Sequence, residues 1–222
     1  MCTFSIRPYV LAATLFAGTI SGFAQDNLVN SLKVNASDNS KASFKFTEVI
    51  NLQNTSVKNQ GSSGTCWSYS ANSFLESEMA KMGKQPVEIS QIFSARNTYI
   101  EKGKMYVRMH GAVTLGDGGS LYDVINMYKK YGAVPQSVYT GLNYGTDKNK
   151  FGEMAQITES ILQAVVKNPN GELTPNWQTA YAAVIDSYLG QVHSSFDYNG
   201  KKYTPQSFAK EVVGINPDDY IQ

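Results

Sequence analysis

At Cys66 the sequence changes from a polar, glycine-containing loop to a helical pattern. The loop, VKNQGSSGT, covers residues 57–65 and has no helical period. From Trp67 onward apolar residues recur mostly at spacings of three and four, and Gly83 is the expected stop. The positive end of a helix dipole stabilises a thiolate, and Cys66 stands at that end. The sequence therefore presents Cys66 as a nucleophile or, in the alternative, as a small core residue.

Hydroxyl caps mark the starts of four further predicted helices, and one more periodic pattern covers residues 151–167. The caps are Ser90 before residues 91–100, Ser120 before a helix that stops at Gly132, Thr174 before Pro175, and Thr204 before Pro205. Strand signals are sparse: residues 105–113 could pair, and residues 195–203 predict a hairpin around Asn199-Gly200. The expected chain is helix-rich with a few short strands.

A nucleophile for acyl transfer needs hydrogen-bond donors for the oxyanion, usually a backbone N–H and often a side-chain amide. Gln60 lies six residues before Cys66, across a Gly-Ser-Ser-Gly stretch that can fold it back toward the sulfur. Gln60 is therefore the candidate oxyanion donor.

These residues resemble the active-site loop of papain-like cysteine peptidases. The match comprises Gln60-Gly61, Gly64 and Cys66-Trp67-Ser68. The resemblance implies an α+β, papain-like fold, with Cys66 opening the central helix and the Gln60 amide in the oxyanion hole. Peptide is the implied substrate, thiolate attack and an acyl-enzyme are the implied mechanism, and no cofactor is implied.

A second stretch, Asp117-Gly118-Gly119, resembles the segment of this family whose backbone pairs with bound peptide. Read alone, it is a turn before the Ser120-capped helix. Together with the cysteine loop it makes Gly118, Gly119 and Trp67 candidate substrate-binding residues.

The branch is narrowed by residues 118–139, which include KYGAVP, and by a tail running from Tyr203-Thr204-Pro205 to Tyr220. Both look like bleomycin hydrolase and aminopeptidase C, and the resemblance covers roughly residues 45–222. It implies aminopeptidase-like activity and possible homo-oligomers. Ser63 stands where many secreted papain-like enzymes have a second, disulfide-forming cysteine.

A cysteine peptidase also needs an imidazole and a group that orients it. His193 follows Cys66 by 193 − 66 = 127 residues, a spacing found in compact papain-like enzymes, but no Asn-Ser-Trp-Gly-like segment follows it. His110 has still less support. The resemblance places the histidine, the asparagine and most of the β-barrel half further downstream, so we expect a helix-rich left half plus a helical insertion. The chain is then a fragment or a truncated product, with little activity alone.

Two other function classes stay open. A degenerate, non-catalytic module would bind peptide or a partner without cleaving it. A structural helical domain would use Cys66 only for packing. Two distant histidines and one mature cysteine predict no metal site, and Gly116-Asp117-Gly118-Gly119 lacks the lysine and spacing of a phosphate-binding loop.

The first 24 residues resemble a signal peptide. Arg7 precedes a mostly apolar stretch, too short to span a membrane, and small residues precede an expected cleavage after Ala24. Cleavage removes one charge, so the formal net charge of +1 becomes 0, which gives no electrostatic case for nucleic acid or an anionic membrane. We expect a secreted or periplasmic protein with a polar leader over 25–47 and a peptidase-like portion over 48–222.

Overall fold

The computed structural model describes residues 47–51 and 54–220. The chain divides into a first unit, Met1–Ile50, and a second, Asn51–Gln222. Of the first unit only residues 47–50 are described, and they are exposed and without regular structure. The predicted signal peptide and the leader up to residue 46 lie outside the described residues. The helices and strands named below belong to the second unit.

Helices dominate the described part of the second unit. In chain order the elements are α1 (Cys66–Lys81), α2 (Gln91–Arg108), α3 (Leu121–Tyr131), α4 (Gly152–Val166), α5 (Asn176–Leu189), β1 (Phe196–Tyr198), β2 (Lys201–Tyr203), α6 (Pro205–Phe208), a π-helical turn (Ala209–Val213) and a 3-10 turn (Pro217–Asp219). None of the described helices has the length and apolar sequence that a membrane crossing requires.

Helix α2 is central, since it packs against α1, α3, α4 and α5. It approaches α5 closely at Gly103, where a Cβ atom would lie 2.6 Å from the Tyr181 ring. The Tyr181 hydroxyl donates to the Tyr99 carbonyl at 3.0 Å, and Arg96 pairs with Asp186 at 2.7 Å. One apolar core joins these helices; its fully buried large members include Leu75, Met79, Ile92, Phe93, Phe151, Leu162, Ile185 and Leu189.

The predicted caps at Ser90 and Ser120 are formed as expected. The Ser90 hydroxyl accepts from the N–H of Phe93 at 3.1 Å. Ser120 and Asp123 form a reciprocal capping box, in which Asp123 accepts from the Ser120 N–H at 2.8 Å. Gly132, at φ 78°, ends α3 as predicted. The sequence-derived boundaries of α1, α3 and α4 agree with the structure within about two residues.

The prediction that residues 105–113 could pair as a strand was wrong. Helix α2 continues to Arg108 because Gly103 permits close packing on Tyr181 and the helix keeps partly buried residues at Tyr106 and Val107. The backbone turns only at His110, with φ 51°, and at Gly111, with φ 79°.

The two Thr-Pro pairs behave differently. Thr204 is extended and its hydroxyl accepts from Ser207 N at 3.1 Å, so it caps α6 as predicted. Thr174 makes no cap, since the residue preceding α5 is Pro175, in αR conformation and without a side-chain cap bond. A side-chain cap needs an acceptor oxygen at the residue preceding the helix, and the proline ring has none.

The predicted hairpin is present. Phe196 pairs with Tyr203 and Tyr198 with Lys201, and the connecting Asn199 and Gly200 both have positive φ, 49° and 76°. Positive φ at both turn positions matches the right-handed twist of a two-residue hairpin. Aromatic rings of both strands pack around the buried Phe208 of α6.

Candidate active site

The loop before Cys66 is fixed by its backbone. Gly61 and Gly64 both have φ of 62°, a conformation that favours glycine. At Gly61 a Cβ atom would lie 2.5 Å from the Asn149 carbonyl oxygen. Ser62 N donates to that carbonyl at 2.8 Å, and Phe151 N donates to the Ser62 carbonyl at 3.0 Å. Residues 149–151 therefore hold the loop in place through backbone hydrogen bonds to Ser62.

The side-chain amide of Gln60 makes no hydrogen bond with the described residues. Its amide oxygen is buried and accepts no hydrogen bond from the described residues, and its amide nitrogen makes none with them either. The Gln60 backbone carbonyl accepts from the Ser63 hydroxyl at 2.7 Å. The backbone at Gln60 is thus anchored, while the N–H groups of its side chain remain available to donate.

Cys66 is exposed, is not in a disulfide and is the first residue of α1. Thr65 precedes it without a side-chain cap, because the Thr65 hydroxyl bonds to the Ser63 hydroxyl instead. The N–H groups of Ser68 and Tyr69 bond to the Thr65 carbonyl, at 2.9 and 3.1 Å. The Cys66 N–H has no acceptor among the described residues, as is usual for the first turn of a helix. An exposed sulfur therefore lies beside an unbonded N–H.

The Asp117-Gly118-Gly119 segment lies directly against this loop and helix. The Trp67 indole N–H donates to the Asp117 carbonyl at 2.8 Å. A Cβ atom on Gly119 would lie 2.6 Å from the Trp67 ring, and one on Gly64 would lie 2.5 Å from the Asp117 Cβ. The structure therefore places this segment against Gly64 and Trp67, the residues that flank Thr65 and Cys66, although the segment lies more than fifty residues downstream in the sequence.

The outer edge of the segment is unpaired. Gly118 and Gly119 are both exposed. Within the described residues, no hydrogen bond uses the Gly119 N–H or carbonyl, nor the Gly118 N–H. An exposed, unbonded donor and acceptor on one residue are what an extended peptide needs for backbone pairing. Trp67 is only 8% exposed, so its ring supports Gly119 from inside.

No protein-family model matches the chain. Among curated proteins, Cysteine proteinase 1, mitochondrial, from Saccharomyces cerevisiae is 27% identical over 144 residues, covering 57% of this chain and 29% of the relative. Aminopeptidase C from Lactobacillus delbrueckii subsp. lactis is 26% identical over 242 aligned residues, covering 92% of this chain and 53% of the relative. Aminopeptidase C from Streptococcus thermophilus is 22% identical, with coverages of 79% and 48%.

Among solved structures, PepW from Lactobacillus rhamnosis HN001 matches 97% of this chain and 57% of its own, with a TM-score of 0.57 and 21% identity. These similarities support the predicted resemblance to the bleomycin hydrolase and aminopeptidase C branch of papain-like cysteine peptidases. Its described residues form a helix-rich, partial papain-like fold, as predicted. The chain spans about half or less of the length of the curated relatives it matches.

Ser63 takes the position at which many secreted papain-like enzymes have a cysteine. It is fully buried, donates to the Gln60 carbonyl and bonds to the Thr65 hydroxyl. Hydrogen bonds from Ser63 therefore hold the loop at this position.

The two histidines belong to other elements of the fold than Cys66. No hydrogen bond joins the Cys66 sulfur to His110 or His193 in the described part of the chain. His110 follows the end of α2, whose 18 residues span about 27 Å, while the first residue of α2, Gln91, is bonded to Ser68. His193 lies in an open groove along α5, beside Lys104 and Asp186.

Sequence reasoning missed the residues that support the site. Asn149 holds the Gln60 loop, and its side chain donates to the Tyr69 hydroxyl at 3.2 Å. Lys102 donates to the carbonyls of Gly116, at 3.0 Å, and Gly118. Such contacts depend on tertiary packing, and neither residue carries a local sequence signal.

Two of the charged groups at this segment have shifted pKa values. Burial raises the pKa of the Asp117 carboxyl, and nearby Lys102 partly offsets that effect. Burial lowers the pKa of Lys102, against the attraction of Asp123 and Asp117. The described residues contain no group of three or more His, Cys, Asp or Glu side chains placed to hold a metal ion.

Proposed function

We propose that this chain carries the nucleophile and part of the peptide-binding cleft of a cysteine-type, aminopeptidase-like peptidase. The observation that carries the proposal is the meeting of three elements: the exposed Cys66 sulfur, the unbonded donors beside it, and the unpaired Gly119 edge. Relationship to curated cysteine proteinase and aminopeptidase C proteins supports the same reaction class.

In the proposed reaction an extended peptide pairs with the N–H and carbonyl of Gly119. The Cys66 sulfur then attacks the scissile carbonyl carbon, and a C–S bond forms. Negative charge develops on the carbonyl oxygen, where the Cys66 N–H and the Gln60 amide N–H donate to it. Collapse breaks the C–N bond, and the amine leaves with the proton that the thiol has given up. Water then attacks the thioester carbonyl, the C–S bond breaks, and the carboxylic acid product leaves as the thiol is restored.

Protonation of the leaving amine needs an acid beside the sulfur. His110 lies beyond the far end of α2 and His193 lines the groove along α5, and neither is hydrogen-bonded to Cys66 in the described residues. We therefore expect the 222-residue chain to form the first covalent bond more readily than it turns over. The same observation favours a second candidate, a degenerate module that holds peptide without cleaving it.

Covalent labelling tests the proposal. The purified chain is incubated with an acetylated dipeptidyl chloromethyl ketone, and the adduct is followed by intact mass, with iodoacetamide as the small reference reagent. Each rate is divided by the rate of the same reagent with free glutathione. We expect at least tenfold preference for the dipeptidyl reagent, loss of the adduct in Cys66→Ser, and slower labelling in Gln60→Ala.

Three outcomes separate the candidates. Equal normalised rates for the two reagents would overturn the proposed cleft. Peptide that protects Cys66 while the dipeptidyl reagent fails to label it would favour the binding module. Hydrolysis of a fluorogenic peptide by the chain, lost in Cys66→Ser, would contradict the expectation of low turnover.

We also propose that the protein is exported and self-associates. Export rests on the N-terminal sequence, and self-association rests on the resemblance to bleomycin hydrolase and aminopeptidase C. Mass spectrometry of secreted material should find a new N-terminus at Gln25, and light scattering should give more than the monomer mass. Retention of Met1 would contradict export.

A further inference from the structure

The Gly116–Gly119 segment is held almost wholly through its backbone carbonyls. Lys102 donates to the carbonyls of Gly116 and Gly118. The Asp117 carbonyl between them accepts from the Trp67 indole at 2.8 Å and from the Tyr99 hydroxyl at 3.4 Å. Three consecutive carbonyls are thus directed toward side chains of α1 and α2.

At the other end the segment is held by its own helix cap. Ser120 N donates to the Asp123 carboxylate at 2.8 Å. Between the cap and the bonded carbonyls stands Gly119, whose N–H and carbonyl are unbonded in the described part of the chain. The orientation of the Gly119 N–H and carbonyl is therefore set by the hydrogen bonds of the residues on either side of Gly119.

Side-chain packing cannot fix Gly118. A Cβ atom there would meet nothing within 4 Å, whereas one on Gly119 would press on the Trp67 ring. Among the described residues, the bond from Lys102 to the Gly118 carbonyl is the contact that orients this peptide unit. Lys102 is half-buried, and its position near Asp117 and Asp123 offsets the cost of burying an ammonium group.

We propose that Lys102 is a positioning residue for peptide binding: its ammonium group holds the Gly116 and Gly118 carbonyls inward, so that the Gly119 N–H and carbonyl face an incoming peptide backbone. The proposal rests on the proposed function of Cys66 and Gly119. It gives Lys102 no contact with substrate and no part in proton transfer.

Substitution at Lys102 tests this inference through two reagents at one cysteine. In Lys102→Met the side chain keeps its length and loses its hydrogen bonds. We expect the labelling rate of Cys66 by the dipeptidyl chloromethyl ketone to fall about tenfold or more, since one charge-assisted hydrogen bond is worth about tenfold and this variant loses two. The iodoacetamide rate should stay within about twofold of wild type, because iodoacetamide has no peptide backbone to pair with Gly119. Lys102→Arg should recover most of the dipeptidyl rate.

The matched control is Lys104→Met, on the same helix, where the lysine pairs with Glu101 at 2.8 Å and makes no bond to the segment. Its two rates should both match wild type.

A merely structural Lys102 would lower the urea midpoint and leave the ratio of the two rates unchanged, which would overturn the proposal. If wild-type protein shows no preference for the dipeptidyl reagent, the peptide-binding cleft proposed above is contradicted, whatever the role of Lys102. If wild type shows it and Lys102→Met keeps it, only the role of Lys102 fails.

Discussion

The surroundings of Cys66 and those of His193 show two ways of placing a reactive side chain. Cys66 follows a loop held by backbone bonds and by close glycine contacts, and unbonded N–H groups remain beside its sulfur. His193 is exposed in an open groove along α5, where Arg96 already neutralises Asp186. Hydrogen-bond donors that a fixed backbone leaves unbonded beside a nucleophile therefore support a reactive site more strongly than a titratable residue that lines a cleft.

The largest effect should come from the carboxylate that anchors the loop to α1. Glu76 is fully buried and accepts from Ile89 N at 2.7 Å, from Lys58 at 3.3 Å and from Thr55. In Glu76→Leu these donors lose their acceptor, so we expect the free energy of unfolding in urea to fall by about 3–5 kcal/mol. Glu88→Leu, at a 47% exposed side chain, is the matched control. A Glu76→Leu protein as stable as the control would show that the Cys66 surroundings do not depend on this anchor.

A smaller effect is expected where Gly119 meets Trp67. In Gly119→Ala the new methyl group would lie 2.6–2.8 Å from the ring, so the segment or the indole must shift. We expect a loss of about 1–3 kcal/mol in unfolding free energy, as for other overpacked sites, and slower labelling by the dipeptidyl reagent.

The neighbouring Gly118→Ala adds a methyl group that meets nothing within 4 Å. Its unfolding free energy should therefore stay close to wild type. Equal losses for the two alanine variants would contradict the close contact at Gly119.

Acid should weaken the contact between α2 and α3 by a still smaller amount. Burial raises the pKa of Glu101, but hydrogen bonds from Lys104, Lys130 and Tyr131 outweigh it and lower that pKa to about 2. A carboxylate with a lowered pKa stabilises the fold above its unfolded value of 4.5, and this stabilisation is lost as the pH falls from 4.5 toward 2. Because solvent screens a partly exposed carboxylate, we expect a loss of about 1 kcal/mol.

Urea unfolding of wild type and Glu101→Gln at pH 7 and pH 3 measures that loss. The glutamine variant should be less stable at pH 7 and should show a smaller decrease toward pH 3. Equal decreases in unfolding free energy for the two proteins would show that protonation of Glu101 does not contribute to the loss of stability in acid.

The smallest effect is expected at the histidine. His193→Ala should change unfolding free energy by less than about 0.5 kcal/mol, because the side chain is exposed. Labelling of Cys66 by either reagent should keep its wild-type rate and pH profile. A changed pH profile would mean that His193 acts on the sulfur after all.

Features fixed by neighbouring residues could be predicted from the sequence, and features fixed by contacts between distant residues could not. Ser120 and Gly132 bound α3 by local chemistry, so that helix was predicted closely. Residues 105–113 were misread because the decisive contact, Gly103 against Tyr181, joins residues far apart in the chain. Cys66, Gln60 and the Gly118-Gly119 segment could be proposed as site residues from the sequence because they belong to recognisable motifs. Lys102 and Asn149 were not found, because their roles depend on which carbonyls the fold brings within reach.

The most direct test is the crystal structure of the chain alkylated at Cys66 by the acetylated dipeptidyl chloromethyl ketone. We predict the ketone oxygen at about 3 Å from both the Cys66 backbone nitrogen and the Gln60 side-chain nitrogen, a hydrogen-bond distance. The dipeptide backbone should pair with the N–H and carbonyl of Gly119. A ketone oxygen turned away from both nitrogens, with the dipeptide off the Gly118-Gly119 segment, would contradict the account.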